Sequence, residues 1–473
     1  MTLSAALATA CATNPVTGKH QISLMSEDQE IQTGRQLDAQ VRQEMGVYQD
    51  AALEKYIEDI GMQLARQSQR PNLPWHFTIV DSTAVNAFAL PGGYIYITRG
   101  ILPYLDNEAQ LAGVLGHEIG HVAARHSAQQ YTRSTGAGLG VLIGSIFVPQ
   151  IRPFEQLAET GLGVMFLKYS RGNELQADSL GAEYAAAGGW DPEQVPAFLT
   201  TLARIDEVSD RNGVPNWLQT HPQPENRVAR VQTTVEKVRP GGQGWTVDRE
   251  AYLEKIDGML FGDNPEDGIV RGNEFIHPAL RFAVKFPVGW DISNGEEQVT
   301  AQEPGNKVFM VLETIHAPQG RNLQQAADAH MHDAGYRLTD GSATTINGLE
   351  AFVGTYQGNA SGLGKVTARG AHIQSGRNVY FVGGIAAPQA YPQLEVAFND
   401  AIQSFRTLAR NEANNVQPNK VDIYTARDGD SWQSIAEHAG KGFVKPSTLA
   451  IMNNHAVDDQ PKPGERLKIV VAG

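Results

Sequence analysis

Residues 107–129, NEAQLAGVLGHEIGHVAARHSAQ, decide how the rest of this chain is read. Leu111, Val114, Leu115, Ile119 and Val122 recur at helical spacing and predict a helix with one buried face. Asn107 suits its N-cap, and Glu108 adds negative charge to the first turn. His117 and His121 stand one turn apart, so both imidazoles leave the same side of the helix and can share one metal ion. Glu118 lies beside the first histidine, placed to accept a proton from a metal-bound water rather than to bind the metal. The plainer alternative is a pair of satisfied core histidines. Against it, Gly116 and Gly120 leave room on this stretch while apolar residues fill the other core-facing positions.

A third ligand has to come from elsewhere. The pattern does not extend to HExxHxxGxxH, because Ala124 and Ser127 occupy the continuing positions. His126, five residues past His121, is rotated off the ligand face of a continuous helix and reads as structural. Residues 169–178, YSRGNELQAD, offer a carboxylate instead. Glu174 and Asp178 are one turn apart, which suits a metal ligand followed by an acid that fixes a histidine's tautomer. Alone, such a pair is usually a solvated helix face; following HExxH it carries more.

With these residues in place, residues 24–238 resemble the HtpX/BepA-like, CAAX-prenyl-protease-related family of zinc metallopeptidases, the gluzincins. The resemblance rests on four ordered motifs: Asn86-Ala87-Phe88-Ala89-Leu90-Pro91-Gly92-Gly93, His117-Glu118-Ile119-Gly120-His121, Ser170-Arg171-Gly172-Asn173-Glu174 with Ala177-Asp178, and Thr220-His221-Pro222. It implies one zinc ion held by His117, His121 and Glu174, with Glu118 as general base. It also implies a part for His221, either as a switchable fourth ligand or as a group contacting the reaction centre. Unfolded or misfolded envelope proteins are the substrate class it implies. The chain lacks the run of transmembrane helices of the prenyl-protease branch, so a lipid-modified CAAX substrate is not expected. No helical repeat period follows the protease, so the partners of BepA-like members are not carried over.

The length, 473 residues, suits two to four domains, and the net charge of −14 argues against nucleic acid, whose phosphates need a basic surface. The single cysteine, Cys11, excludes an internal disulfide and a cysteine-based zinc site. Residues 3–11, LSAALATAC, look like the end of a bacterial lipoprotein signal, the alternative being an Ala-rich terminus with an incidental cysteine. A lipid on Cys11 would hold the protein on a membrane of the bacterial cell envelope, facing the periplasm. Residues 12–21 are polar and suit an exposed tether. Residues 136–149 and 157–167 are apolar but shorter than the roughly 20 residues a bilayer span requires. They read as a hairpin packed over the protease core, with a lid or a membrane-dipping hairpin as alternatives.

The expected architecture is α+β and multidomain. A signal-like segment and tether (1–23) precede a mostly helical, zincin-type metalloprotease domain with a small sheet (24–240). An α+β accessory domain (245–410) and a βααβ domain (420–473) follow. In the protease domain, helices are expected at 27–45, 50–69, 191–208 and 225–238, and strands at 75–80 and 94–98. Residues 86–90 are the candidate edge strand, where an extended substrate gains affinity by backbone pairing. In the accessory domain, strands are expected at 280–286, 307–315, 351–357, 366–373 and 379–384, and helices at 323–334 and 394–404. Phe286-Pro287-Val288-Gly289-Trp290 resembles the opening of PsbP-like domains. His316, His330 and His332 lack a partner acid at ligand spacing and read as surface or packing residues. Residues 421–471, with Gly429-Asp430-Ser431-Trp432 and Pro463-Gly464, resemble a LysM repeat. That implies peptidoglycan as a ligand, the alternative being a structural cap. The sequence therefore reads as a zinc metalloendopeptidase, with a non-proteolytic chaperone or scaffold and a peptidoglycan hydrolase as the open alternatives.

Overall fold

The computed structural model describes residues 11–22, 25–130, 169–208, 217, 221, 227–238, 244–295, 298–305, 308–315, 322–360, 363–438 and 444–471. The chain forms two compact units, Met1–Gly262 with Asn419–Ala472, and Asp263–Pro418. The apolar stretches 136–149 and 157–167, Thr220, Pro222 and His316 lie outside the described residues. Among those described, no helix is long and apolar enough to cross a membrane.

In the first unit, helix α1 (Glu27–Met45) starts at a capping box. The Ser26 side chain accepts from the Gln29 amide, and the Gln29 side chain accepts from Ser26. Its buried residues Glu30, Gly34, Leu37, Val41 and Met45 fall three or four apart, one stripe on one face. Helix α2 (Ala51–Ala65) is capped by the Asp50 carboxylate and buries Leu53, Ile57, Ile60 and Leu64 in the same rhythm. Strands β1 (His76–Val80), β2 (Ala87–Leu90) and β3 (Tyr94–Thr98) form a sheet in the order β1-β3-β2, with β1 parallel and β2 antiparallel to β3. The expected edge strand is thus at an edge, although all four of its residues are buried. The β2–β3 turn needs glycine at residue 92, where φ is +83° and a Cβ would lie 2.6 Å from the Ile31 Cα.

Helix α3 (Glu108–Ala123) is the spine of this unit. Asn107 caps it, accepting from the Gln110 amide, and every residue from Ala109 to Ala123 is buried. Around it stand α4 (Arg171–Ala187), α5 (Gln194–Val208) and α6 (Arg227–Val238). In the stretch expected as an exposed tether Thr13, Pro15, Thr17, Gly18 and Lys19 are exposed, while Cys11–Thr13 pairs with His20–Ile22 and the buried Asn14 donates to the Ala124 carbonyl at the end of the spine.

The segment from residue 419 belongs to this same unit. Strand Asn419–Thr425, helices Trp432–His438 and Pro446–Met452, and strand Arg466–Val471 follow in that order, and the two strands pair antiparallel. The first strand also pairs with Leu260–Phe261. Lys468 is fully buried, donates its ammonium to the Leu105 carbonyl 2.5 Å away, and is pushed down to about 7 by that burial.

The second unit is α+β. Seven antiparallel strands run in the spatial order Asp291–Asn294, Gln298–Gln302, Phe309–Ile315, Asn378–Ala386, Gly364–Ser375, Leu349–Ala360 and Arg337–Ile346. Helix Tyr391–Ser404 joins Phe282, Phe286, Tyr380 and Phe405 in one core, and Met331 of helix Leu323–Asp333 packs with Tyr356 and Phe381 in another. A four-stranded sheet contains Phe282–Lys285. The edge strand Arg337–Ile346 was not expected from sequence. It is exposed at most positions, so it carries no apolar alternation to read.

Candidate metal centre

Two helices build the site. Helix α3 carries His117, Glu118 and His121, and α4 carries Glu174 and Asp178. They cross with almost nothing between them. A Cβ on Gly116 would lie 3.1 Å from the Gly181 Cα, and one on Gly181 would lie 2.9 Å from the His117 backbone nitrogen. A larger residue at 181 would drive α4 away from the first histidine, so the glycines set how near the carboxylates come.

His117, His121, Glu174 and His221 converge, all buried, each offering a donor atom within 4.8 Å of the others. The Nε2 of His117 is 3.0 Å from that of His121 and 3.3 Å from Nδ1 of His221. Glu174 Oε1 is 3.1 Å from His221 Nδ1 and 3.4 Å from His121 Nε2. Donors held tetrahedrally at about 2.0–2.1 Å from one ion stand roughly 3.3 Å apart, so these spacings fit a small divalent cation. Nitrogen and carboxylate donors together are those zinc takes.

Glu118 stands beside the set rather than in it. Its Oε1 is 3.6 Å from His221 Nε2, and neither buried carboxylate oxygen accepts a hydrogen bond among the described residues. Burial pushes its pKa up, and the charges of His221 and His117 offset this only in part. A carboxylate made more basic by burial, with both oxygens open, suits a proton acceptor.

The donors are held from behind. Asp178 Oδ1 is 2.9 Å from His117 Nδ1, which leaves the Nε2 lone pair facing the cluster. Arg227 of α6 grips Asp178 with two bonds of 2.5 and 2.7 Å and lies 3.2 Å from Glu174. Burial would raise Asp178, but the Arg227 charge and bonds from His117 and Arg227 hold it below its ordinary value. For Glu174 burial acts in the same upward direction, and His221, His121 and Arg227 outweigh it, keeping the carboxylate ionised. His121 goes the other way: burial pushes it well down, toward the neutral form that ligates.

Behind His121 the chain does something periodicity does not foresee. Helix α3 ends at Ala123, and Arg125 takes a left-handed conformation with φ +61°. The buried Arg125 guanidinium pairs with Glu30, which also takes Arg70, itself donating to the Val122 carbonyl. The turn brings His126 back, so that its Nδ1 is 3.1 Å from His121 Nδ1 and its Nε2 is 3.1 Å from Gln176 Oε1. Tyr169 stacks on His121 with ring centroids 3.9 Å apart, and Trp217 stacks on His221 at 4.4 Å.

The structure thus brings together all six residues read from sequence: His117, Glu118, His121, Glu174, Asp178 and His221. Sequence reasoning missed Arg227, His126, Tyr169 and Trp217. A signal for Arg227 was present, because it heads the stripe Arg227, Val231, Val235, and a charge on an apolar stripe asks for a buried partner. In the second unit, His332 is exposed beside Asp333, while His330 lies 2.9 Å from the buried His372 and 3.3 Å from Glu313.

Residues 51–235 match the sequence profile of peptidase family M48. The beta-barrel assembly-enhancing protease of Yersinia pestis is 29% identical over 362 residues, 72% of this chain and 73% of its own length. The Escherichia coli K12 protein of that name is 32% identical over 243 residues, 50% of each chain, so this chain spans about half of that relative. The mitochondrial metalloendopeptidase OMA1 of Arabidopsis thaliana is 32% identical over 167 residues, 34% of this chain and 32% of its own.

Proposed function

We propose that this chain, whose residues 51–235 match peptidase family M48, is a zinc metalloendopeptidase that cleaves unfolded or misfolded proteins of the bacterial cell envelope. The observation that carries this reading is the convergence of His117, His121, Glu174 and His221 beside a Glu118 carboxylate whose oxygens accept no hydrogen bond among the described residues. His117, His121, Glu174 and His221 would hold zinc, which would supply an electrophile for the peptide carbonyl and acidify an attacking water. Glu118 is the group that would accept a proton from the attacking water and pass it to the departing amine nitrogen. Asp178, clamped by Arg227, keeps the His117 proton on Nδ1. His221 occupies a fourth donor position, so this is a resting arrangement. Its withdrawal makes room for substrate, and its imidazole, already 3.6 Å from Glu118, then stabilises the carbonyl oxygen.

The relatives named for enhancing β-barrel assembly support outer-membrane protein precursors as the substrate class. The strand β2, at the edge of its sheet, is where an extended segment of such a precursor pairs. An acylated Cys11 would hold the enzyme on a periplasm-facing membrane. The PsbP-like reading of the second unit and the LysM-like, peptidoglycan-binding reading of residues 421–471 complete the proposal.

The test is degradation of casein and of an unfolded outer-membrane protein, with and without chelator, set beside release of fragments from isolated sacculi. Chelator-sensitive cleavage of protein with intact sacculi is the expected result. Cleavage of sacculi alone would replace this reading with the peptidoglycan hydrolase. The four-donor closure favours one rival specifically, a non-proteolytic scaffold built on a permanently closed zinc site. His221→Ala separates them: the resting-state reading expects retained zinc and raised basal proteolysis.

A further inference from the structure

We propose that His126 is a positioning residue for the metal centre, fixing the tautomer and ring direction of His121 and tying the two ligand helices together behind the ion. The inference rests on the zinc reading above and concerns a residue outside the donor set. His121 presents Nε2 to the cluster, so its proton must sit on Nδ1 for the lone pair to point inward. That Nδ1 lies 3.1 Å from His126 Nδ1, which must then be the acceptor. A neutral imidazole accepting at one nitrogen carries its proton on the other. His126 Nε2 therefore donates, and 3.1 Å away is the Gln176 side-chain oxygen, an acceptor. The proton assignment closes from end to end with every group neutral.

Two features show that this placement is built. His126 is buried, with 1% of its surface exposed, and it reaches His121 only because Arg125 holds a left-handed backbone secured by the buried Glu30. Gln176 sits on α4 between Glu174 and Asp178, so the relay joins the helix of the two histidines to the helix of the carboxylate. The two histidines also differ in what backs them: Asp178 behind His117, and a neutral imidazole behind His121. Glu118, Glu174 and Asp178 are all buried here, and among the described residues Arg227 is the arginine that pairs with Glu174 and Asp178. A fourth carboxylate would add uncompensated buried charge, which a histidine avoids.

The experiment compares wild type, His126→Ala, His126→Asn and Gln176→Leu by competition for zinc with a chromophoric chelator, together with melting of the metal-free proteins. His126→Ala should weaken zinc roughly 10–100-fold, and Gln176→Leu should weaken it less. His126→Asn keeps an acceptor where Nδ1 stood and should recover most of the loss, which a merely structural role would not predict. Equal zinc affinity in wild type and His126→Ala, or an Asn variant no better than Ala, overturns the inference. Should His126→Ala fail to fold, unchanged affinity in Gln176→Leu overturns it instead. A wild type that binds no zinc at all removes both this inference and the zinc reading beneath it, whereas zinc-binding wild type with indifferent variants removes only this one.

Discussion

The first unit sets two histidine nitrogens 3.0 Å apart in His117 and His121, and the second sets two 2.9 Å apart in His330 and His372. The first pair belongs to a set of four donors, and the second belongs to no such set among the described residues. The difference lies behind the rings. His117 and His121 each have a partner at Nδ1, Asp178 and His126, so both Nε2 lone pairs are free to face one point. In the second unit one imidazole faces the other, and Glu313 lies 3.3 Å from the far nitrogen of His330. Closeness of histidines is common to both; what turns their lone pairs inward is present in one.

Four measurements bear on that contrast, ordered by the size of effect. Elemental analysis of purified protein should show zinc lost in His117→Ala and unchanged in His330→Ala; zinc falling in both would erase the distinction. Glu118→Gln should keep its zinc while turnover of unfolded protein drops on the order of 10²–10⁴-fold, since the amide cannot take the proton. A variant with full activity removes Glu118 from that role. Arg227→Met leaves Asp178 ionised and buried without its counter-ion, which should cost about 3–5 kcal/mol in denaturant unfolding of the first unit. A loss below 1 kcal/mol would mean that Asp178 does not depend on it.

The last measurement is a pH dependence in the second unit, gradual over each pH unit. Burial, with a smaller contribution from His330, pushes His372 down from 6.5 to about 3. Between those values the unfolded chain binds a proton that the folded chain does not, so stability falls as pH falls, by up to about 1.4 kcal/mol per pH unit. Hydrogen exchange at strands Gly364–Ser375 and Asn378–Ala386 should accelerate on acidification through that window. The acceleration should be reduced in His372→Leu; an identical pH profile would sink the assignment.

The chemistry of the centre was legible because HExxH and ExxxD are local patterns, each written within one helix turn. Asn107, Leu111 and Val114 also announced the helix that carries the first. What was not legible is long-range or conformational. His126 was read as off the ligand face, and it stands outside the donor set; what no periodicity shows is that Arg125 leaves the helix and brings it against His121. Arg227 meets Asp178 across 49 positions of sequence. Strand Arg337–Ile346 is exposed and polar, so it left no alternation. Lys468 resembles an ordinary surface lysine in sequence, yet it is buried against Leu105.

That last contact bears on the order in which the first unit is assembled. The first unit is assembled from Met1–Gly262 and Asn419–Ala472, and synthesis of the whole second unit falls between them. Domains form largely as they leave the ribosome, N-terminal parts first. Here the carbonyl of Leu105, two residues before the cap of α3, waits for Lys468, and Leu260–Phe261 waits for its partner strand. The first unit is therefore complete only once residues 419–472 have followed the second unit off the ribosome.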